Sequence, residues 1–122
     1  MAYDGPNSTV RREFFAGESG GAATTEYSKF RSFQAARLKS VRVAVTTAGT
    51  ATTHKLDIYH GTASIGSIAI GTATAGALLA STTLNENLAA MDQVSVKTGA
   101  DAAGKNHVIY EYDVLPSAVP TP

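Results

Sequence analysis

Two of the three histidines in this chain flank an aspartate at regular spacing, in the pattern His54-x-x-Asp57-x-x-His60. Histidine and aspartate are common zinc ligands, so the first question is whether these three side chains can share one metal ion. On a β-strand, His54 and His60 point to one face about 20 Å apart, and Asp57 points to the other face. On a helix, a separation of six residues places the histidines on different sides. We therefore predict no metal site and interpret the histidines as polar residues at strand ends.

Two glycine-rich stretches have the spacing of a phosphate-binding loop. "GTASIGS" begins at Gly61 and "GTATAGA" begins at Gly71, and both fit G-x-x-x-x-G. Phosphate binding of this kind needs a lysine directly after the second glycine and a helix after the loop. Ser67 and Ala77 occupy the lysine position. The glycines are therefore predicted to form turns, and no cofactor is expected.

Two further patterns are typical of hydrolases. "GESGG" (17–21) fits G-x-S-x-G around Ser19, but its flanks "REFFA" and "AATTEY" lack the strand and helix that a nucleophile elbow requires. Glu111 and Asp113 are paired carboxylates about 7 Å apart on one strand face, whereas a glycosidase would place such a pair in an aromatic cleft. We interpret this pair as part of a solvated face, with calcium binding as the remaining alternative. No enzyme activity is predicted.

The elements that carry these residues belong to a small, cysteine-free domain. The chain has 122 residues, a formal net charge of +0, 43% hydrophobic and 16% charged residues. This length suits one domain, and the absence of cysteine excludes disulfides and thiolate chemistry. A neutral chain gives no general reason to expect direct nucleic-acid or membrane binding, and no segment has the length of a membrane span.

The hydrophobic pattern predicts an all-β fold. From Leu38 the apolar residues alternate, so that Val41, Val43 and Val45 share one face, and a similar alternation runs through "HVIYEYDVL". About seven or eight short strands at this spacing predict a single antiparallel β-sandwich, either jelly-roll or immunoglobulin-like. "EYSKFRSFQAARLKS" is interpreted as an irregular or short helical lead, and "NENLAAMD" as one helical turn.

The first 26 residues of the chain are predicted to be an arm. Residues 1–42 carry seven basic and four acidic side chains, a net charge of +3, and the remainder carries a net charge of −3. The predicted organisation is an N-terminal arm and lead-in over 1–36, the sandwich over 37–115 and a Pro-limited tail over 116–122. The arm is expected to become ordered on binding a partner. The predicted contact residues are Arg11, Arg12, Phe14, Phe15, Lys29 and Arg31.

The stretch "RLKSVRVAVTTAGTATTHKLDIYHGTASIGSIAIG", with "AAMDQVSVK" and "VIYEYDV" after it, resembles the small β-sandwich decoration (cement) proteins of tailed bacteriophages. The resemblance covers roughly residues 37–115 and rests on Ala/Thr/Gly-rich strands, a "TTAGT" loop, the lack of cysteine, a flexible arm and a Pro-ended tail. It implies a non-enzymatic virion protein, made in the bacterial cytoplasm, that sits on the outer capsid surface, often as a homotrimer. Its implied partner is the major capsid protein, whose neighbouring subunits it would bridge. A carbohydrate-binding module of a tail or fibre and a minor head–tail connector are the alternatives.

Overall fold

A computed structural model of the chain describes residues 10–100 and 103–115. These residues form nine β-strands and no helix. In chain order the strands are β1 (Arg11–Ser19), β2 (Glu26–Arg31), β3 (Ala36–Thr47), β4 (Lys55–His60), β5 (Ala63–Ala69), β6 (Leu78–Ser81), β7 (Glu86–Leu88), β8 (Gln93–Thr98) and β9 (Lys105–Val114).

The strands form two antiparallel sheets that pack against each other, which confirms the predicted β-sandwich. Sheet A has the order β1-β9-β3-β6, and the three-residue β7 also pairs with β3. Sheet B has the order β2-β8-β4-β5. The turn predicted at Gly61 is present, because β4 and β5 pair directly as a hairpin and Gly61 has a φ of +64° between them. Glycine adopts this left-handed conformation without steric cost.

Alternating side chains from both sheets fill the space between them. β-Branched and aromatic residues suit this arrangement because they pack well on a pleated surface. The predicted inward faces of "RLKSVRVAVTT" and "HVIYEYDVL" are confirmed, and residues of the β4–β5 hairpin join them in the core. The buried core includes Val41, Val43, Val45, Leu56, Ile58, Ile68, Ile70, Val108, Tyr110, Tyr112 and Val114.

One tyrosine connects the two sheets through a hydrogen bond. Tyr110 of sheet A is fully buried, and its hydroxyl donates to the backbone carbonyl of Ser28 in sheet B at 2.7 Å. Ser28 lies at a β-bulge in β2 with a φ of +55°, and its own hydroxyl donates to the carbonyl of Glu18 at 2.7 Å. Burial raises the pKa of Tyr110, so the phenol remains a donor. The bulge therefore ties β1, β2 and β9 together.

Within the predicted arm and lead-in, residues 11–19 and 26–31 are strands of the sandwich. All nine residues of β1 pair with β9, from Arg11 opposite Val114 to Ser19 opposite Asn106. Without β1, one edge of β9 would leave backbone hydrogen-bonding groups unpaired beside the core. The prediction of an arm that becomes ordered only on binding is therefore wrong for these residues, because they already pair within the sandwich. Residues 1–9 and the predicted tail over 116–122 lie outside the described residues.

Two local predictions are also wrong. "EYSKFRSFQAARLKS" forms β2, a short loop and the start of β3, because Phe30 packs into the core from a strand and not from a helix. "NENLAAMD" contains β7 and the turn that follows it. In both segments tertiary packing overrides a weak local preference.

Candidate functional site

The six predicted contact residues do not form one surface. Arg12 and Phe14 lie on the outer face of sheet A, which is the side turned away from sheet B. Arg11 and Arg31 line a cleft at one end of the sandwich. Phe15 points into the core, and Lys29 is exposed on β2. The candidate functional surfaces are therefore the outer face of sheet A and the end cleft.

Phe15 contributes to the fold of its own domain. Its ring lies 4.8 Å from the ring of Phe30 and 5.9 Å from that of Tyr110, measured between centroids. Aromatic pairs at these distances stabilise a core beyond the area they bury. Phe15 therefore packs between the two sheets of its own domain, and its contact with a partner stays a prediction.

The outer face of sheet A has an apolar part. Phe14 and Leu78 are 59% and 80% exposed, at opposite sides of the sheet. One row across the strands reads Ala16, Ile109, Arg42 and Ala80, taken from the register of β1, β9, β3 and β6. Ile109, Leu78 and their neighbours line a groove of about 360 Å³. We call this groove and Phe14 the apolar patch of sheet A.

A network of charges borders the apolar patch. Arg12 donates to both oxygens of Asp113 and forms an ion pair with Glu111 at 3.1 Å. The hydroxyl of Ser40 donates to the other oxygen of Glu111 at 2.8 Å. The hydrogen bond from Ser40 and the nearby Arg12 hold the pKa of Glu111 below its usual range, and Arg12 does the same for the pKa of Asp113. Arg42 is 3.9 Å from Glu111, which is an ion pair and too long for a hydrogen bond.

The end cleft opens between β1 and the β2–β3 loop and has a volume of about 620 Å³. Arg31 is held in place, since it donates to the carbonyl of Met91 at 2.6 Å and to the side chain of Gln93 at 3.1 Å. Arg11 is held less tightly, 3.8 Å from Glu13. Phe33, at 86% exposure, stands at the rim. The cleft therefore combines two guanidinium groups with one open aromatic ring.

The histidines do not assemble a metal site. His54 is buried, neither of its ring nitrogens has a hydrogen-bond partner among the described residues, and burial lowers its pKa. His60 contacts Glu86 through Nδ1 and Asp92 through Nε2, each at 2.8 Å. The two carboxylates lie on opposite sides of the ring, so they do not converge on one ion. Among the described residues, no group of three or more His, Asp or Glu side chains could hold a metal.

The sequence patterns of hydrolases and nucleotide-binding proteins have structural explanations. Ser19 ends β1 at 1% exposure, and its hydroxyl has no hydrogen-bond partner in the part of the chain that the structure describes, so no histidine there contacts it as a base. Glu111 and Asp113 lie on an open sheet face and are both paired with Arg12. Gly61 and Gly71 have positive φ in turns that end strands and do not open a helix. The described residues contain no helix long and apolar enough to span a membrane.

Sequence reasoning missed the residues that make the apolar patch. Along their own strands, Leu78, Ile109 and Arg42 simply alternate with core residues. Only the pairing of β9 with β3 and of β3 with β6 brings them onto one face. The available signal was Ile109, an apolar residue between His107 and Glu111 on the side of "HVIYEYDVL" that also carries Asp113.

No family model matches the chain, and no curated protein is detectably similar to it in sequence. A solved structure does share its fold. A chain of the "Cyanophage Pam1 capsid asymmetric unit" aligns with a TM-score of 0.56 at 13% sequence identity. The alignment covers 95% of this chain and 93% of that chain, so the two have nearly the same length. At this identity the likeness shows a shared fold.

Proposed function

We propose that this chain is a non-enzymatic structural protein of a phage virion, and that it binds the outer surface of the capsid. The likeness to a capsid chain over nearly the whole length of both proteins is the observation that carries the proposal. Because the two chains are similar in size, the match involves the complete sandwich and not one hairpin of a larger fold. The finer proposal is a decoration protein that contacts the major capsid protein as a homotrimer.

The strand order also supports this proposal. Without the short β7, β8 and β9 become the seventh and eighth strands in chain order. Sheet A then has the order first-eighth-third-sixth, and sheet B has the order second-seventh-fourth-fifth. We infer that this is a jelly roll, a fold of two Greek keys that recurs in viral capsid domains and in lectins. Of the two sandwich types predicted from the sequence, this order favours the jelly roll over the immunoglobulin-like type.

The proposed mechanism is the burial of surface across neighbouring shell subunits. A protein that binds only the assembled shell stabilises it by mass action. The stabilisation is about 2.7 kcal/mol per site when the concentration of free protein is a hundred times the Kd. A surface of roughly 800 Å² on each partner is typical of a stable contact. Outer faces of rigid sheets suit this role because they need little ordering on binding.

The test is a binding experiment with empty capsids of the phage that encodes the chain. The purified chain is mixed with capsids that lack it, and bound chain is counted after sedimentation and by electron microscopy. We expect saturable binding at symmetry-related positions and a higher temperature of capsid disruption. Light scattering of the free chain measures the expected trimer. Absence of binding to the shell at micromolar concentration would overturn the proposal.

The end cleft favours a second candidate, a carbohydrate-binding module of a tail or fibre. Sugar rings stack on exposed aromatic side chains, and Phe33 is open beside a cleft that also holds Arg11 and Arg31. Selective binding on a glycan array, lost on Phe33→Ala and accompanied by no capsid binding, would support this candidate over the first.

A further inference from the structure

The two outer faces of the sandwich differ in chemistry. On sheet B, one row across the strands reads Glu26, Lys97, Asp57 and Ser67, all polar. The corresponding central part of sheet A holds Ile109, which is why that face has an apolar patch at all. An antiparallel sheet in water normally has one wet, polar face. Sheet B follows this rule, and sheet A departs from it.

The exposed apolar residues of sheet A are concentrated at a groove that a side chain of a partner could enter. Leu78 is 80% exposed on β6, and together with Ile109 and Ala44 it lines the groove of about 360 Å³. A contiguous apolar area with a polar border is a common feature of protein contact sites. The groove also lies on regular strands that pair over several residues, so its shape is fixed before binding.

The polar border of the groove has an excess of positive charge. Four cations surround Glu111 and Asp113, and they are Arg12, Arg37, Lys39 and Arg42. Arg12 is fully engaged by the two carboxylates, whereas Arg37 and Lys39 donate only to neutral amide oxygens, of Asn87 and Asn85. These cations therefore keep a net positive charge at the border that an acidic partner would neutralise.

Arg42 connects the charged border with the apolar groove. It lines the groove itself, its side chain is 52% exposed, and its contact with Glu111 is a loose 3.9 Å. A guanidinium has five N–H donors and binds a carboxylate with two parallel hydrogen bonds. Arg42 is thus placed to bind a carboxylate from a partner that also fills the groove.

We propose that the outer face of sheet A is the surface that docks on the capsid, and that it binds an acidic segment of a shell subunit. The segment would place one aliphatic or aromatic side chain between Leu78 and Ile109 and one carboxylate on Arg42. Phe14 would cover the opposite side of the same segment. This inference rests on the proposed function and adds the face and the chemistry of its partner.

The two carboxylates within the border argue against a nucleic-acid partner. A phosphate backbone crossing this face would lie against Glu111 and Asp113, and like charges in contact are repelled. An acidic protein segment avoids this conflict because it can present one carboxylate to Arg42 and apolar atoms elsewhere.

The test compares capsid binding by the full chain and by single variants of exposed residues. Leu78→Ser should weaken binding about 10- to 100-fold, the equivalent of a lost buried leucine. Phe33→Ser is the matched control, since it removes an equally exposed apolar side chain at the end cleft, and it should change binding less than threefold. Thermal unfolding should show that both variants remain folded.

Charge reversal tests the polar part of the proposal. Arg42→Glu should weaken binding about tenfold and flatten its dependence on salt, because an attraction becomes a repulsion. Lys55→Glu, the same reversal on a residue of β4 in sheet B whose side chain is 54% exposed, is the control and should leave the affinity within threefold. A salt series from 50 to 500 mM measures both effects.

The outcomes separate this inference from the proposed function. If the unaltered chain does not bind capsids, the proposed function fails, and this inference fails with it. If the unaltered chain binds and both Leu78→Ser and Arg42→Glu bind equally well, the capsid contact lies elsewhere and only the inference is overturned. If Leu78→Ser instead lowers the mass of the free chain in light scattering, the face joins copies of the chain, which also overturns the inference.

Discussion

Strand β4 has a histidine at each end, and the two side chains lie in opposite environments. His54 precedes the strand and is 2% exposed, with no partner for its ring. His60 ends the strand, and each of its ring nitrogens contacts a carboxylate. Burial lowers the pKa of His54, whereas the hydrogen bond with Glu86, followed by that with Asp92, raises the pKa of His60. The residue type and the strand are the same, so the difference comes from the neighbours.

The neighbours differ because different elements meet at the two ends of the sandwich. At the His60 end, β7 of sheet A and the turn before β8 supply Glu86 and Asp92. At the His54 end, glycines let backbones approach closely: a Cβ on Gly104 would lie 2.8 Å from the carbonyl oxygen of Thr47, and one on Gly49 would lie 3.3 Å from the His54 ring. Ser19 and Asn106 face each other at this end, and their side chains also have no partners. The His60 ring is thus bonded on both sides at one end, whereas His54, Ser19 and Asn106 are enclosed without hydrogen bonds among the described residues at the other.

The variant with the largest expected effect on stability in this comparison is His54→Leu. Replacing a buried, unpartnered ring by an apolar side chain of similar size should raise the free energy of unfolding by about 1–3 kcal/mol at pH 7. The gain should increase at pH 5. With its folded pKa below 6.5, His54 takes up a proton on unfolding, so the unaltered chain loses stability as the pH falls below 6.5. Urea denaturation at both pH values measures the difference.

His107→Leu is the control for this variant. The His107 side chain is 56% exposed and 3.8 Å from Glu18, so the same substitution should change the free energy of unfolding by no more than about 0.5 kcal/mol. A lower free energy of unfolding in His54→Leu would show that the buried His54 ring stabilises the fold, and the contrast between the two ends would not hold.

His60→Ala tests the other end and should have a smaller effect, a loss of about 1 kcal/mol at pH 5.5, since the ring is partly exposed. The raised pKa of His60 means that its contribution is complete below pH 6.5 and is lost as the pH rises through the folded value. The lowered pKa of Asp92 means that its contribution is present above pH 3.8 and is lost as the pH falls through its folded value. The difference between the unaltered chain and the variant should therefore peak between pH 3.8 and 6.5.

Measuring the free energy of unfolding of the unaltered chain and of His60→Ala from pH 3 to pH 9 tests whether their difference peaks in this pH window. A difference that does not vary with pH would mean that His60 acts through packing and not through its two carboxylate contacts. Glu86→Gln provides a second readout, because it removes one charged partner and should lower the pH at which the contribution of His60 is lost.

Much of the fold could be predicted from the sequence because the strands from Val41 onwards alternate strictly. The inward faces of β3, β4, β5 and β9 follow from that period of two, and they are confirmed by burial. The strands β1 and β2 could not be predicted in the same way. In β1 the inward positions include Gly17 and the charged Glu13, so the alternation is not visible. A bulge at Ser28 interrupts it in β2.

The candidate site was less predictable, because it depends on which strands are neighbours. The sequence predicts Arg12 and Phe14 as contact residues, and the structure places both on the outer face of sheet A, where their contact with a capsid remains a prediction. Leu78 and Arg42 could not be identified, since they join this face only through pairing between β3 and β6. The histidine environments also depend on long-range contacts, because Glu86 and Asp92 lie 26 and 32 residues from His60.

The smallest expected effect comes from Ser19→Ala, which removes a buried hydroxyl without a partner at the His54 end. The free energy of unfolding should stay within about 0.5 kcal/mol or rise, since no hydrogen bond is lost. Thr98→Val is the matched control, because Thr98 also has a buried hydroxyl but donates to the carbonyl of Ala22 at 2.7 Å and accepts from the N–H of Thr25 at 2.9 Å. It should lose about 1 kcal/mol. Equal losses in the two variants would show that Ser19 is bonded in solution, and the His54 end would then resemble the His60 end.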